Sequence, residues 1–188
     1  MQKKRIVIFA SGNGTNAQRI IEYFIESGQA KVSGVFTNNP QAQVIRRAET
    51  FNIPIFIFDK TDFYTSGKVL NILLEQKPDM IILAGFLWLI PTEIIKSFQS
   101  RIVNIHPALL PKYGGKGMYG MNVHRAVIAD GEKESGISIH YVNENYDEGN
   151  IIFQAKCTVD AEETADSLAA KIHQLEYKYF PVIIESLF

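Results

Sequence analysis

The chain has 188 residues, 46% apolar and 21% charged, a length that suits one domain and a composition that excludes a disordered chain. Nineteen Lys and Arg stand against twenty Asp and Glu, a net charge of −1 that excludes gripping nucleic acid or an anionic membrane by bulk charge and leaves local anion sites open. The single cysteine, Cys157, excludes an intrachain disulfide and a metal site of several thiolates, and fits a reducing compartment. Only Ile6 to Ala10 follow the basic Lys3, Lys4 and Arg5, too short for an export core. The uncharged, apolar stretch Met80 to Thr92 has thirteen residues, where a membrane span needs roughly eighteen. The expectation is a soluble, cytoplasmic protein.

Four apolar runs, Arg5 to Ala10, Val32 to Thr37, Pro54 to Phe58 and Met80 to Ala84, lack polar alternation and predict strands covered on both faces. Between them Ala17 to Ser27, Gln41 to Phe51 and Asp62 to Gln76 carry apolar residues at helical spacing. A helix opening at Pro91 and Thr92 leads to a fifth strand, Arg101 to Ile105. A loop with four glycines between Gly114 and Gly120 follows, then a short helix from about Asn122 to Ala129. Gly136 to Val142 and Asn150 to Val159 read as two further strands, and Thr164 to Leu187 as a helix that bends or breaks at Pro181. The fold class is α/β: a single-domain, mostly parallel sheet over residues 1–188, with helices on both faces and a mixed C-terminal extension.

Three constellations could carry chemistry. Gly12, Asn13, Gly14, Thr15 and Asn16 sit between the first strand and first helix, where free N–H groups and the positive helix end favour phosphate; the bland alternative is a tight turn that binds nothing. Thr37-Asn38-Asn39 stands where a dinucleotide site wants an acid, so a monophosphate suits the loop better than NAD, and a nucleotide-binding module without catalysis is the competing reading. At the end of the fifth strand Asn104 and His106 share a face, and Pro107 stops the strand with the imidazole at its carboxyl end. A carboxamide beside an imidazole suits a reaction that builds negative charge on a carbonyl oxygen, whereas strand-end polar groups bonded to backbone are the bland reading. Third, the acidic loop Asn143 to Gly149 could set Asp147 or Glu148 beside His106, favouring the imidazolium and bringing a weak acid into range near neutral pH; otherwise it is a solvated turn. His124, His140 and His173 lack metal-ligand spacing and read as structural or exposed, and Cys157 as a buried, inert thiol. The stretch Phe86 to Ile90, with Trp88, reads as core or as the wall of a flat ligand pocket.

Ser11-Gly12-Asn13-Gly14-Thr15-Asn16, Leu83-Ala84-Gly85-Phe86, Asn104-Ile105-His106-Pro107-Ala108-Leu109-Leu110-Pro111 and Asp147-Glu148-Gly149, in this order and spacing, resemble the folate-dependent phosphoribosylglycinamide formyltransferase family over essentially the whole chain. The resemblance implies a Rossmann-like formyltransferase domain that moves the formyl group of 10-formyltetrahydrofolate to the amine of glycinamide ribonucleotide, as a monomer or homodimer and without a metal. It implies a catalytic trio of Asn104, His106 and Asp147 and a phosphate loop at Gly12 to Asn16. His173 and Glu176 are implied to contact the ribonucleotide, and Leu87, Trp88, Leu89, Ile90, Asn143, Glu144, Asn145, Tyr146 and Asp147 to line the pterin pocket together with Asn104. Three positions depart from the family pattern: Thr61 where bacterial relatives carry a folate-contacting Arg, a loop from Tyr113 to Asn122 that looks about five residues longer than the common form, and Ala108 where Ser is frequent. Methionyl-tRNA formyltransferases and formyltetrahydrofolate deformylases share parts of the signature but carry additional domains that 188 residues do not accommodate, and sugar-nucleotide formyltransferases share an amine acceptor.

Overall fold

The computed structural model describes residues 3–188. Its elements run β1 (Lys4–Phe9), α1 (Thr15–Ser27), β2 (Ala30–Thr37), α2 (Gln43–Thr50), β3 (Ile55–Ile57), α3 (Lys60–Tyr64), α4 (Lys68–Gln76), β4 (Met80–Leu83) and α5 (Thr92–Ser97). They continue as β5 (Ile102–His106), α6 (Met121–Ala129), β6 (Glu134–Tyr141), β7 (Ile151–Thr158) and α7 (Ala165–Glu185). The strands form one sheet in the order β3-β2-β1-β4-β5-β6-β7. Pairing is parallel from β3 through β5 and antiparallel from β5 to β7, the mixed extension expected.

Alternation along each buried strand feeds two cores. On β1, Ile6 and Ile8 face Ile20, Phe24, Leu168 and Phe180 of α1 and α7, while Val7 and Phe9 face Phe63, Leu73 and Ile94 of α3, α4 and α5. Phe9 is the hub of the second core, stacked on Phe36 at 4.8 Å and edge-on to Phe86 at 5.2 Å. Along β5, Val103 and Ile105 enter the first core, so Asn104 and His106 share the opposite face.

Four details differ from the sequence pattern. The segment read as one helix over Asp62 to Gln76 is two, because Gly67 takes φ +71° and restarts the turn as the cap of α4. The last helix runs unbroken through Pro181: Phe180, Pro181 and Ile184 are all buried, and that packing holds the turn despite the missing N–H. β7 is an edge strand with exposed and partly buried residues interspersed, which leaves Cys157 half-buried rather than buried. β3 forms the other edge and exposes Ile57. Among the described residues no helix is long and apolar enough to cross a membrane.

Truncating the aromatic hub, Phe9→Ala, is expected to cost about 3–5 kcal/mol in urea unfolding. Leu74→Ala, at a site 47% exposed, should stay within about 0.5 kcal/mol.

Candidate active site

A cleft of about 690 Å³ opens at the carboxyl ends of β1, β4 and β5. The strand order reverses there, because β1 is followed in sequence by β2 on one side and flanked by β4 on the other, and ligand crevices of open α/β sheets form at such a point.

The floor at one end is the loop after β1, and Gly12 to Asn16 all line the cleft. Gly14 caps α1 in the left-handed region at φ +74° with no side-chain cap, so the first N–H groups of the helix have no partner from that residue. A Cβ on Gly14 would lie 2.4 Å from Val44 Cγ2, so the loop sits tight against α2. Asn16 Nδ2 donates to Glu176 Oε2 at 2.8 Å, and His173 Nδ1 meets the same oxygen at 2.9 Å, which brings both α7 residues into the lining. The Glu176 carboxylate on Nδ1 raises His173 above the ordinary imidazole range.

At the centre, β5 supplies Asn104 and His106, β6 supplies His140 and the following loop supplies Asp147. His106, 3% exposed, donates from Nε2 to the Tyr113 carbonyl at 2.7 Å, since a carbonyl can only accept. Its Nδ1 lies 3.5 Å from Asp147 Oδ2. That oxygen also accepts from the Gly115 N–H at 3.0 Å. Asn104 Nδ2 lies 3.1 Å from His140 Nε2 and 3.4 Å from Asp147 Oδ1. His140 Nδ1 donates to the Tyr141 carbonyl at 2.9 Å, which leaves Nε2 to accept from Asn104. Gly149 holds the acidic loop in place: a Cβ there would sit 1.6 Å from the Tyr141 oxygen, and Asp147 itself adopts φ +56°.

Asp147 favours the His106 imidazolium as expected, but burial acts more strongly in the other direction. Burial pushes the His106 imidazole below its ordinary value, and the Asp147 charge and the Tyr113 carbonyl offset only part of that effect. The net effect favours the neutral ring, in which Nδ1 carries the lone pair because Nε2 holds the proton. Burial also pushes the Asp147 carboxyl up, but His140, His106 and the Gly115 N–H outweigh it and hold Asp147 below the usual aspartate range. Asp147 stays ionised.

The far end of the cleft is apolar. Phe86, Leu87, Trp88, Leu89 and Ile90 line it together with Asn145, Tyr146 and the glycine loop from Gly115 to Gly120. Two residues expected there are not in the lining: the Asn143 amide oxygen is turned to the Asn145 N–H at 3.0 Å, and Glu144 is exposed. Of the two acids left open as neighbours of His106, Asp147 is the one beside it, while Glu148 is exposed and accepts from Asn145 Nδ2. All three histidines read as structural or exposed, His124, His140 and His173, line the cleft. His140 faces Asn104 because β6 pairs with β5 in that register, and His124 on α6 is 3% exposed with no partner for Nδ1 among the described residues. The polar alternation of Ser138 and His140 between Ile137 and Ile139 is the one sequence signal that could have singled out His140. Among the described residues no group of three or more His, Cys, Asp and Glu side chains could hold a metal ion.

An NMR titration of the His106 ring should give a pKa below about 6.5, and Asp147→Asn should lower it further by removing the charge that offsets burial. The sign for stability follows: the unfolded chain binds this proton more readily, so the group costs stability as pH falls below about 6.5 and costs nothing above it. A titration unchanged by Asp147→Asn would contradict this account.

Comparison with known proteins agrees with this architecture. The family model described as formyl transferase matches residues 4–184. A phosphoribosylglycinamide formyltransferase of Bacillus subtilis is 35% identical over 98% of this chain and 94% of its own. A chloroplastic phosphoribosylglycinamide formyltransferase of Arabidopsis thaliana is 36% identical over 99% of this chain, which spans 66% of that relative's length. Among solved structures, glycinamide ribonucleotide transformylase 1 from Geobacillus kaustophilus superposes with a TM-score of 0.89 at 33% identity, covering 99% of each chain. With its matched span running from β1 into α7 and the cleft at the centre of it, the chain belongs to the formyl transferase family.

Proposed function

We propose that the protein transfers the formyl group of 10-formyltetrahydrofolate to the amino group of glycinamide ribonucleotide, a step of purine biosynthesis. The observation that carries this reading is that one cleft joins an N–H cradle at the start of α1, the His106–Asp147 pair at the end of β5 and an apolar wall from Phe86 to Ile90. Each suits one part of the two substrates: a phosphate, the reacting carbon and a flat pterin ring. Glu176 and His173, tied to Asn16 of the cradle, would meet the ribose hydroxyls. Near the outer end Lys60 lies over the Trp88 ring at 5.9 Å, where its ammonium would meet a folate carboxylate.

In the reaction the substrate amine attacks the formyl carbon, and a C–N bond forms as the carbonyl electrons move to oxygen. His106 Nδ1, unprotonated in the resting ring because Nε2 donates to the Tyr113 carbonyl, takes the proton from the attacking nitrogen. The imidazolium so formed lies against Asp147, whose charge does more for this state than for the resting ring, which is the differential stabilisation that lowers a barrier. Asn104 Nδ2 exchanges its long 3.4 Å contact with Asp147 for the new oxyanion and keeps its bond to His140. The proton then passes to the folate nitrogen, the bond between that nitrogen and the carbon breaks, and tetrahydrofolate and the formylated amine leave. Holding two substrates in line in one cleft supplies much of the acceleration.

Purified protein mixed with 10-formyltetrahydrofolate and glycinamide ribonucleotide should release tetrahydrofolate only when the acceptor is present, followed by absorbance; release independent of the acceptor, or none, overturns the reading. His106→Ala and Asp147→Asn should each lower kcat by about 10²–10⁴ with unchanged circular dichroism, and near-normal turnover in either removes that residue from the mechanism.

A further inference from the structure

We propose that Arg47, outside the cleft on α2, is a positioning residue for the phosphate cradle: it holds the loop with its carbonyls turned away so that its N–H groups are left for an anion. The inference rests on the phosphate-binding reading of Gly12 to Asn16. Four successive carbonyls of this loop are each taken by a donor. Ser11 O accepts from Asn39 Nδ2 at 3.3 Å, Gly12 O from the Val44 N–H at 3.1 Å, Asn13 O from Arg47 Nε at 2.8 Å, and Gly14 O from the Gln18 N–H at 2.9 Å. Among the described residues no acceptor within the chain takes the N–H groups of Gly12, Asn13 or Gly14. A run of N–H groups with its carbonyls facing backwards is the geometry that binds anions.

Arg47 makes the widest grip on this arrangement. Its Nη2 donates to Asn13 Oδ1 at 2.7 Å while Nε holds the Asn13 carbonyl, so one face of the guanidinium fork fixes both the backbone and the side chain of one residue. Its Nη1 donates to Gln18 Oε1 of α1, and Gln18 Nε2 in turn donates to Glu22, which sets the oxygen of that amide toward the arginine. The loop and the first turn of α1 are thereby locked to α2. The loop sequence carries no cationic side chain of its own, and the Arg47 donors all meet neutral oxygens, the Asn13 carbonyl and side-chain oxygens and the Gln18 amide oxygen. Arg47 therefore supplies an uncompensated positive charge behind the cradle. Lysine offers a charge but not the planar fork.

The test separates positioning from general stability. In Arg47→Ala, KM for glycinamide ribonucleotide should rise at least about tenfold, with kcat within about threefold and KM for the folate donor unchanged. Arg47→Lys should recover only a minor part of the loss. A purely structural role would lower Tm and leave the acceptor KM at its wild-type value, and that outcome overturns the proposal. Inorganic phosphate, titrated against the amide signals of Gly12 to Gly14, reads the cradle without catalysis: binding in the wild type and at least about tenfold weaker binding in Arg47→Ala supports the inference. Equal binding in both, or none in the wild type, overturns it. If phosphate binding depends on Arg47 but the wild type transfers no formyl group, the function fails and the inference about Arg47 stands.

Discussion

The antiparallel docking of β6 on β5 is the constraint from which the site follows. A sheet that is parallel from β3 to β5 first reverses direction at this ladder, and the register sets Asn104 opposite His140 and His106 opposite Ser138. A slip of one residue would turn His140 into the core and bring an isoleucine to the cleft. The same ladder delivers the acidic loop, because the chain leaving β6 must turn back at once into β7, and Gly149 lets it fold against the Tyr141 carbonyl. Asp147 thus arrives at His106 through strand pairing and a bare Cα, with no helix involved.

That arrangement keeps an ionised carboxylate in a largely buried position, which is unfavourable unless its oxygens are bonded. Asp147 resolves the conflict with uncharged donors, the Gly115 N–H on Oδ2 and the Asn104 amide on Oδ1. A buried guanidinium partner would have neutralised the charge permanently. Partners of this kind leave the field of the carboxylate directed at Nδ1 of His106, where a positive charge appears only during proton transfer.

Much of the fold could be read from residues in order. The apolar runs without alternation named the strands of the parallel part, and the glycines after β1 and the proline after His106 marked the two chain ends that meet in the cleft. What escaped was whatever depends on partners distant in sequence. His140 and His124 look like ordinary strand and helix residues until β5 and α7 pack beside them. The protonation state of His106 could not be read either, because a neighbouring acid is visible in sequence while desolvation is not. Local breakers misled in both directions: Gly67 split a periodic helix, and Pro181 failed to split another, since φ and burial at those positions are set by the surrounding packing.

The bond from His106 Nε2 to the Tyr113 carbonyl also divides the long glycine loop into two zones of unequal freedom. The seven-residue path from His106 to Tyr113 sets which ring nitrogen carries the proton, and the Tyr113 hydroxyl is moored to Asp130 at 2.8 Å and Glu132 at 3.0 Å. Inserting or deleting a residue on that path would shift the carbonyl and with it the tautomer. Beyond Gly115 no such tether to the imidazole exists among the described residues, so chain length can vary there at little expense to the chemistry. The far side of that boundary is therefore the natural place to graft or trim sequence when the mouth of the cleft is to be reshaped.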